Sequence, residues 1–280
     1  MRVAILGVGL IGGSIGLAAR ARGEACVCGY DPDDAALGAA IELGAIDERA
    51  PNIATAVADA QAVFVAAPVG ALAAAVSEAL AHAGADCVIS DVGSTKLALE
   101  DARRDPRFIG GHPLAGAETS GVAHAREDLF EGASWFLTPA PTDDPELLAR
   151  LVDLIGRFGA QPRAVAPDAH DRLMACVSHL PHVFANVLAV QASAAFERER
   201  SEPIAGPSLR DAIRVAGANT AIWADIYLAN APALIDAIDD ATALLAEARE
   251  LLVGSDPGEL AAWNERARAS REALLGEDAP

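Results

Sequence analysis

The chain has 280 residues, of which 52% are hydrophobic and 22% charged, and its formal net charge at pH 7 is −19. This composition is that of a globular protein, and the length suffices for about two domains. The acidic excess argues against a nucleic-acid or anionic membrane partner, since either requires a basic face. No apolar run reaches the roughly 18 residues of a membrane span without a glycine, a proline or a charge that breaks it, and the short run after Met1 is not a signal peptide. We therefore expect a cytoplasmic protein.

Short apolar segments alternate with alanine-rich helical segments through the first part of the chain. The predicted strands are Arg2–Leu6, Ala25–Tyr30, Ala62–Ala66, Asp86–Ser90 and Arg107–Gly111. Strands that are apolar on both faces are typical of a parallel sheet covered on both sides. The predicted helices between them include Asp34–Leu43 and Ala71–Ala83, and the runs Ser134–Thr138 and Arg163–Ala166 could extend the sheet at an edge. The alternation predicts an α/β fold with a doubly wound Rossmann sheet.

After about Pro167 the strand signals end, and the remaining residues have helical patterns broken by prolines. We expect a Rossmann domain over residues 1–166 and an all-helical domain over residues 167–280. The helical half contains a narrow apolar seam whose members are spaced by four or three residues: Leu234, Ile238, Ala241, Leu245, Ala248 and Leu252. Such a seam is typical of a helix that faces a partner helix. It predicts a homodimer joined through the helical domain, with a partner helix in the same chain as the alternative.

The cysteines are Cys26, Cys28, Cys87 and Cys176. Their spacing is neither that of a C-x-x-C redox pair nor that of a zinc site, and buried small hydrophobic residues are the better interpretation. The histidine pair His179 and His182 has a metal-like spacing, but no acidic cluster at ligand spacing accompanies it. No metal site is predicted.

A glycine-rich turn, G-V-G-L-I-G, connects the first predicted strand to an apolar helical segment. The first glycine permits a tight turn, the second lets the backbone approach a pyrophosphate, and the third lets the helix pack closely on the strand. The second predicted strand ends near Asp31, which lies 19 residues after the last of these glycines (31 − 12) and could accept hydrogen bonds from the ribose hydroxyls of NAD. The predicted NAD-binding residues are Gly7, Gly9, Leu10, Ile11, Gly12, Asp31, Pro68 and Ser94.

Three further segments follow predicted strands and should meet at the ligand-binding edge of the sheet, namely Ala66–Val69, Asp91–Lys96 and Gly110–Gly116. Several blocks give the chain a resemblance to the prephenate/arogenate dehydrogenase family. They are Asp91–Lys96 (D-V-G-S-T-K), Gly110–Gly121 (G-G-H-P-L-A-G-A-E-T-S-G), Ser178–His182 (S-H-L-P-H) and Leu209–Ile226 (L-R-D-A-I-R-V-A-G-A-N-T-A-I-W-A-D-I). The blocks occur in the family's order and spacing, so the resemblance covers nearly the whole chain.

The resemblance implies that His112 is the catalytic histidine and that Ser94, expected at a helix N-cap, shares the substrate hydroxyl or orients the imidazole. It also implies that Arg214 grips a substrate carboxylate, with Arg210 as a rival for that role. The other implied substrate-binding residues are His179, His182, Glu118 and Trp223. Packing roles for one of the two histidines and for Trp223, and a surface position for Glu118, remain open. The remaining histidines are expected to be surface or capping residues: His82, His124 and His170.

The resemblance further implies NAD-dependent oxidative decarboxylation of prephenate, a dianion, to 4-hydroxyphenylpyruvate in tyrosine biosynthesis. Arogenate in place of prephenate, or acceptance of both, is the alternative within the family, and a non-catalytic NAD-sensing protein is the alternative outside it. A β-hydroxyacid dehydrogenase would need a catalytic lysine in the helical half, whereas Lys96 is the only lysine of the sequence. We expect no chorismate mutase segment before the first strand and no ACT domain after the last helix.

Overall fold

A computed structural model describes residues 1–23, 25–116 and 119–275. By backbone packing the chain divides into two compact units, residues 1–234 and residues 235–280. The first unit contains both sheets and most of the helices, and the second contains the greater part of one long helix and the final helix. The predicted domain boundary between residues 166 and 167 stays a prediction.

The first unit is built on a parallel sheet of five strands. These are β1 (Arg2–Leu6), β2 (Cys26–Tyr30), β3 (Glu48–Arg49), β4 (Ala62–Val65) and β5 (Val88–Asp91), in the order β3-β2-β1-β4-β5. The helices that connect them are α1 (Leu10–Gly23), α2 (Asp34–Leu43), α3 (Ile53–Val57) and α4 (Val69–His82). The strand order reverses between β1 and β4, which confirms the predicted doubly wound sheet. The short edge strand β3 was not predicted, because two charged residues give no apolar pattern.

The two faces of the sheet bury two separate clusters of apolar side chains, because successive residues of a strand point to opposite faces. In β1, Val3 and Ile5 belong to one cluster, together with Phe64. Ala4 and Leu6 belong to the other. Strands that are covered on both faces in this way lack a polar face, which is why they could be recognised as apolar runs in the sequence.

A second sheet of three strands follows, made of β6 (Gly110–Pro113), β7 (Ser134–Thr138) and β8 (Gln161–Ala164), with α5 (Pro145–Arg157) between β7 and β8. Strand β6 is antiparallel to β7, and β7 is parallel to β8. The predicted strand at 107–111 is therefore shifted to 110–113, and it does not belong to the first sheet. An isolated parallel bridge between Ile89 and Phe108 links the residues just before β6 to β5.

The described residues from 167 to 275 are helical and contain no strand, which confirms the predicted helical C-terminal half. Its elements are α6 (Pro167–Met174), a π-helical segment (Ala175–His179), α7 (Leu180–Glu199), α8 (Pro207–Ile213), a 3-10 turn (Arg214–Gly217), α9 (Thr220–Ala229), α10 (Ala231–Gly254) and α11 (Pro257–Leu275). By length and composition alone, the continuous helix from Pro167 to Glu199 is long and apolar enough to cross a membrane. It also carries three buried polar residues, His170, Asp171 and His179.

Within the second unit, Arg266 of α11 forms an ion pair with Glu247 of α10 at 2.7 Å. The predicted apolar seam lies along α10. Its members Leu245 and Leu252 are 59% and 65% exposed in the single chain. Large apolar side chains left in water over much of their surface are available for a partner.

The cysteines divide between interior and surface. Cys28 and Cys87 are buried, as expected, whereas Cys26 and Cys176 are exposed, so the expectation of buried residues was wrong for these two. Cys26 is the first residue of β2, at the edge of the packed core, and the burial of a strand's middle does not extend to its end.

Candidate active site

The first of two large cavities lies at the carboxyl ends of the parallel strands and has a volume of about 770 Å³. The glycine turn, Asp31 and Pro68 line it, and Ser94 and His112 lie at its wall. This is the point where the strand order reverses, and open α/β sheets bind their ligands there. The residues predicted to meet at one edge of the sheet therefore line one cavity.

The glycine turn has the geometry of a phosphate-binding loop. Gly7 has a φ of +98°, and a Cβ on it would lie 2.5 Å from the carbonyl oxygen of Ala66. A Cβ on Gly12 would lie 1.9 Å from the carbonyl oxygen of Gly7, so only glycine lets α1 pack this closely on the turn. A Cβ on Gly9 would meet no atom within 4 Å, and Gly9 lines the cavity. The open space over Gly9, beside the amino end of α1, fits the pyrophosphate of a dinucleotide.

Asp31 is fixed at the end of β2 by two backbone amides. Its Oδ2 accepts a hydrogen bond from the N–H of Val8 at 2.9 Å, and its Oδ1 accepts one from the N–H of Asp33 at 2.9 Å. Each carboxylate oxygen can accept a further bond, and the side chain lines the first cavity. The arrangement fits the two hydroxyls of an adenosine ribose.

The second cavity has a volume of about 990 Å³ and meets the first at His112. Side chains from the helical segment line its other walls: Met174, Ser178, His182, Arg214, Ile222 and Trp223. His112 lines both cavities, as do Pro113 and Ala115 after it. The imidazole therefore stands at the junction, where a ligand in one cavity would meet a ligand in the other.

His112 lies in β6 and is hydrogen-bonded on its inner side. Its Nδ1 is 2.9 Å from Nε2 of His170, and Nδ1 of His170 is 2.8 Å from Oδ1 of Asp171. Burial lowers the pKa of His112 well below its ordinary value, and the charges of Lys96, His170 and His179 act in the same direction. His112 is therefore neutral near pH 7.

His170 was expected at the surface or at a helix cap, and the structure shows that this was wrong. The side chain is fully buried and contacts His112 and Asp171. Its ring also packs edge-on against Phe136 of β7, with ring centroids 5.7 Å apart. A histidine near the start of a helix is ordinarily exposed to solvent. The sequence did not reveal the burial of His170, because the side chain that it contacts, His112, lies in a strand 58 residues earlier.

Beneath His112, Lys96 and Asp91 form a buried ion pair. The ammonium of Lys96 also donates to the carbonyl oxygen of Gly111 at 2.6 Å, and Asp91 accepts from the N–H of Gly111 at 3.0 Å. Burial lowers the pKa of Lys96, and the charge of Asp91 opposes that shift. Neither residue was predicted from the sequence to have a role of this kind.

Ser94 lies in the loop after β5 and lines the first cavity. It was expected at a helix N-cap, and this was wrong, because the nearest helical turn is a 3-10 turn, Leu97–Leu99, that begins after Lys96. The hydroxyl is thus placed by a loop rather than by a helix end.

The two neighbouring histidines of the helical segment lie in different surroundings. The ring of His182 stacks on Trp223, with centroids 3.4 Å apart and an interplanar angle of 25°, and both residues line the second cavity. His179 is fully buried, its Nδ1 lies 3.1 Å from Nδ2 of Asn230, and burial lowers its pKa to about 4. The cavity walls described here include His182 and not His179. Trp223 both forms a wall of the cavity and packs against its neighbours.

Arg214, at the start of the 3-10 turn after α8, lines the second cavity. Arg210, the alternative candidate for binding a substrate carboxylate, is exposed on α8 and is not among the residues that line the described cavities. Glu118, the remaining predicted residue, lies outside the described residues. Over the ranges 1–23, 25–116 and 119–275, no three histidine, cysteine or acidic side chains are grouped as metal ligands.

The chain is similar to known families and proteins along most of its length. The profile of the prephenate dehydrogenase nucleotide-binding domain matches residues 15–163, and that of the prephenate dehydrogenase dimerization domain matches residues 166–265. A prephenate dehydrogenase of Bacillus subtilis is 36% identical over 250 residues, which are 85% of this chain and 66% of that protein. The chain thus spans about two thirds of that relative's length. A cyclohexadienyl dehydrogenase of Zymomonas mobilis is 33% identical over 97% of this chain and 95% of its own length.

A solved structure of a prephenate dehydrogenase is similar to this chain along nearly its whole length. The prephenate dehydrogenase of A. aeolicus, in complex with hydroxyphenyl propionate and NAD+, has a TM-score of 0.89 and 29% sequence identity, and the likeness covers 98% of each chain. The family profiles together span most of the sequence, from residue 15 to residue 265, and include the helical segment that carries Arg214. The chain belongs to the prephenate dehydrogenase family.

Proposed function

We propose that the protein is an NAD-dependent dehydrogenase that converts prephenate to 4-hydroxyphenylpyruvate, with His112 as the proton acceptor. The observation that carries this proposal is the position of His112 at the junction of two cavities. The first cavity fits a dinucleotide, and the second is large enough for a six-membered ring with its side arm. A neutral imidazole at the junction is placed to act on a group that is oxidised there.

The chemistry explains why a neutral acceptor is needed. NAD+ supplies a hydride acceptor, and the hydride leaves C4 of the substrate ring as the C4 hydroxyl gives its proton to His112. Loss of the ring carboxylate as CO2 leaves its electron pair in the ring, which becomes aromatic. The oxygen at C4 is then a phenolate, to which His112 can return the proton. An imidazole that was already protonated could not begin this sequence, so the lowered pKa of His112 favours it.

Prephenate carries two carboxylates, and Arg214 is the cation that we assign to one of them. It lines the second cavity, and a guanidinium can bind a carboxylate through two parallel hydrogen bonds. His182, stacked on Trp223, forms the wall against which the ring would lie. Ser94 is proposed to share the hydroxyl with His112. Roles for Glu118 and His179 in substrate binding stay predictions.

Arogenate is the second candidate substrate. It differs from prephenate in carrying an amino acid in place of the keto acid of the side arm, so the reacting half of the ring is the same. The Zymomonas relative that matches along nearly its full length is named for cyclohexadienyl substrates, and this favours the acceptance of both. The amino group would have to lie in the second cavity, at the end away from His112.

We also propose that the protein is a homodimer joined through its helical half and that it works in the cytoplasm. The profile that matches residues 166–265 is that of a dimerization domain. On α7, Val187 and Val190 are 53% and 71% exposed in the single chain. A second copy could cover such residues. The helix that contains α7 also carries the buried His170 and Asp171, which suits a protein partner better than lipid.

The activity is tested by following NADH formation with prephenate, and separately with arogenate, in the presence of NAD+. We expect activity with prephenate in the intact protein. The variant His112→Asn keeps a polar side chain but has no proton acceptor, so kcat should fall about 10²–10⁴-fold with little change in KM. Retention of full kcat would show that the hydroxyl proton goes elsewhere, and inactivity of the intact protein with both substrates would refute the proposed reaction.

Asp31 should set a preference for NAD over NADP, because its carboxylate would face the 2′-phosphate of NADP. We expect kcat/KM to be higher with NAD, and the ratio of the two values to fall about 10-fold or more in Asp31→Ser. The control is Asp33→Ser, which removes a carboxylate that caps α2 through Ala35 rather than lining the cavity and keeps a capping side chain. Equal kcat/KM values for the two cofactors in the intact protein would contradict the role of Asp31.

The dimer is tested by light scattering. The intact protein should have a mass near twice 28.7 kDa, and Leu245→Glu should give monomers, because a charge would enter the apolar seam. Ala243→Glu is the control, since it adds the same charge to an exposed position of α10 outside the seam. A monomeric mass of the intact protein at micromolar concentration would rule out the dimer, and a dimeric Leu245→Glu would remove the seam from the interface.

A further inference from the structure

Behind His112, two buried side chains continue a line of hydrogen bonds away from the cavities. His170 and Asp171 are consecutive residues of α6, and both are at most 1% exposed. The line runs from Nδ1 of His112 to Nε2 of His170 over 2.9 Å, and from Nδ1 of His170 to Oδ1 of Asp171 over 2.8 Å. His112 therefore uses one ring nitrogen in this line, and His170 uses both of its ring nitrogens.

The surroundings of Asp171 decide which atoms carry the protons. Its Oδ1 accepts the backbone N–H of Lys96 at 2.8 Å, and its Oδ2 accepts the backbone N–H of Leu97 at 2.9 Å. A carboxylate held by two donors in this way acts as an acceptor toward its third neighbour as well. Nδ1 of His170 must therefore carry the proton, since a bare nitrogen would face a carboxylate oxygen at 2.8 Å.

The protonation of His170 in turn fixes that of His112. A neutral imidazole with a proton on Nδ1 has a bare Nε2, so His170 accepts at Nε2 and His112 donates from its Nδ1. The remaining nitrogen of His112, Nε2, then has no proton. It is also the nitrogen left for the two cavities, because Nδ1 is taken by His170.

We propose that His170, held by Asp171, is a positioning residue that fixes His112 in the tautomer with a bare Nε2 toward the cavities. The proposal rests on the proposed function only where it assigns the proton of a substrate hydroxyl to that nitrogen. The same hydrogen bond supports His112 once Nε2 is protonated, since the imidazolium still donates from Nδ1 toward His170 and, beyond it, toward the charge of Asp171. The charge of Lys96 opposes the protonation of His112, and Asp171 is the acidic group at the far end of this line.

Two replacements of His170 separate orientation from packing. His170→Gln supplies a carbonyl oxygen that can take the place of Nε2 and accept the hydrogen bond from His112. His170→Leu fills a similar volume but has no acceptor. We expect kcat to fall about 10²-fold in His170→Leu, because a share of His112 then carries its proton on Nε2, with KM changed by about twofold or less. His170→Gln should recover most of kcat. Thermal unfolding and NADH binding, followed by fluorescence, show whether each variant is folded.

A second readout does not depend on activity. In protein labelled with 15N-histidine, the signals of His112 are identified by their loss in His112→Asn, and their chemical shifts report which nitrogen carries the proton. We expect protonated Nδ1 and bare Nε2 in the intact protein and in His170→Gln, and a mixture of tautomers in His170→Leu.

The outcomes separate this inference from the proposed reaction. Full kcat in His170→Leu, or a protonated Nε2 on His112 in the intact protein, would overturn the positioning role. If His170→Leu does not fold, the tautomer in the intact protein decides alone. Inactivity with prephenate and arogenate together with the expected tautomer would refute the reaction and support the assignment of His170.

Discussion

The buried ion pair between Lys96 and Asp91 is the contact on which the rest of the site depends. It holds both peptide groups of Gly111, since Lys96 binds the carbonyl oxygen and Asp91 binds the N–H. A Cβ on Gly111 would lie 2.7 Å from the carbonyl oxygen of Asp91, so a glycine is needed for this approach. His112 is the next residue, and its position in space follows. Removing one partner of such a pair costs about 3–5 kcal/mol, since the other charge stays buried alone.

Lys96 also connects the sheet to the helical segment. Its backbone N–H binds Asp171, and Asp171 in turn holds His170 against His112. Asn230 at the end of α9 donates to the carbonyl oxygen of Asp171 as well as lying beside His179. Lys96 thus helps to position His112 in two ways. Its ammonium binds the strand residue Gly111, and its backbone N–H binds Asp171 of the helical segment.

The same arrangement bears on how an acidic protein would bind the anion that we propose as its substrate. The chain has a formal net charge of −19, and its only lysine, Lys96, is buried inside the site. The charge of Lys96 there lowers the pKa of His112. The cation left at the wall of the second cavity is Arg214. Selectivity for a dianion would then come from one local guanidinium and from hydrogen-bond donors rather than from the field of the whole molecule.

The sequence predicted what local pattern determines. The glycine turn, the strand that precedes it and Asp31 were recognisable because turn geometry and strand burial restrict the residue types at fixed spacings. His170 was misjudged for the opposite reason: its burial depends on β6 and β7, which are distant in sequence, and a histidine beside an aspartate near a helix start is ordinarily solvated. The different surroundings of His179 and His182 were equally hidden, because a π-helical segment ends at His179 and changes which side of the helix each residue faces.

The most direct test of the account is a crystal structure of the protein with NAD+ and hydroxyphenyl propionate, the compound found with the A. aeolicus relative. We expect the phenolic oxygen within about 2.6–3.2 Å of Nε2 of His112, with His170 still bonded to Nδ1 and the carboxylate of the ligand at Arg214. A ligand bound with its phenolic oxygen away from His112, or a His112 turned so that Nδ1 faces the ligand, would contradict it.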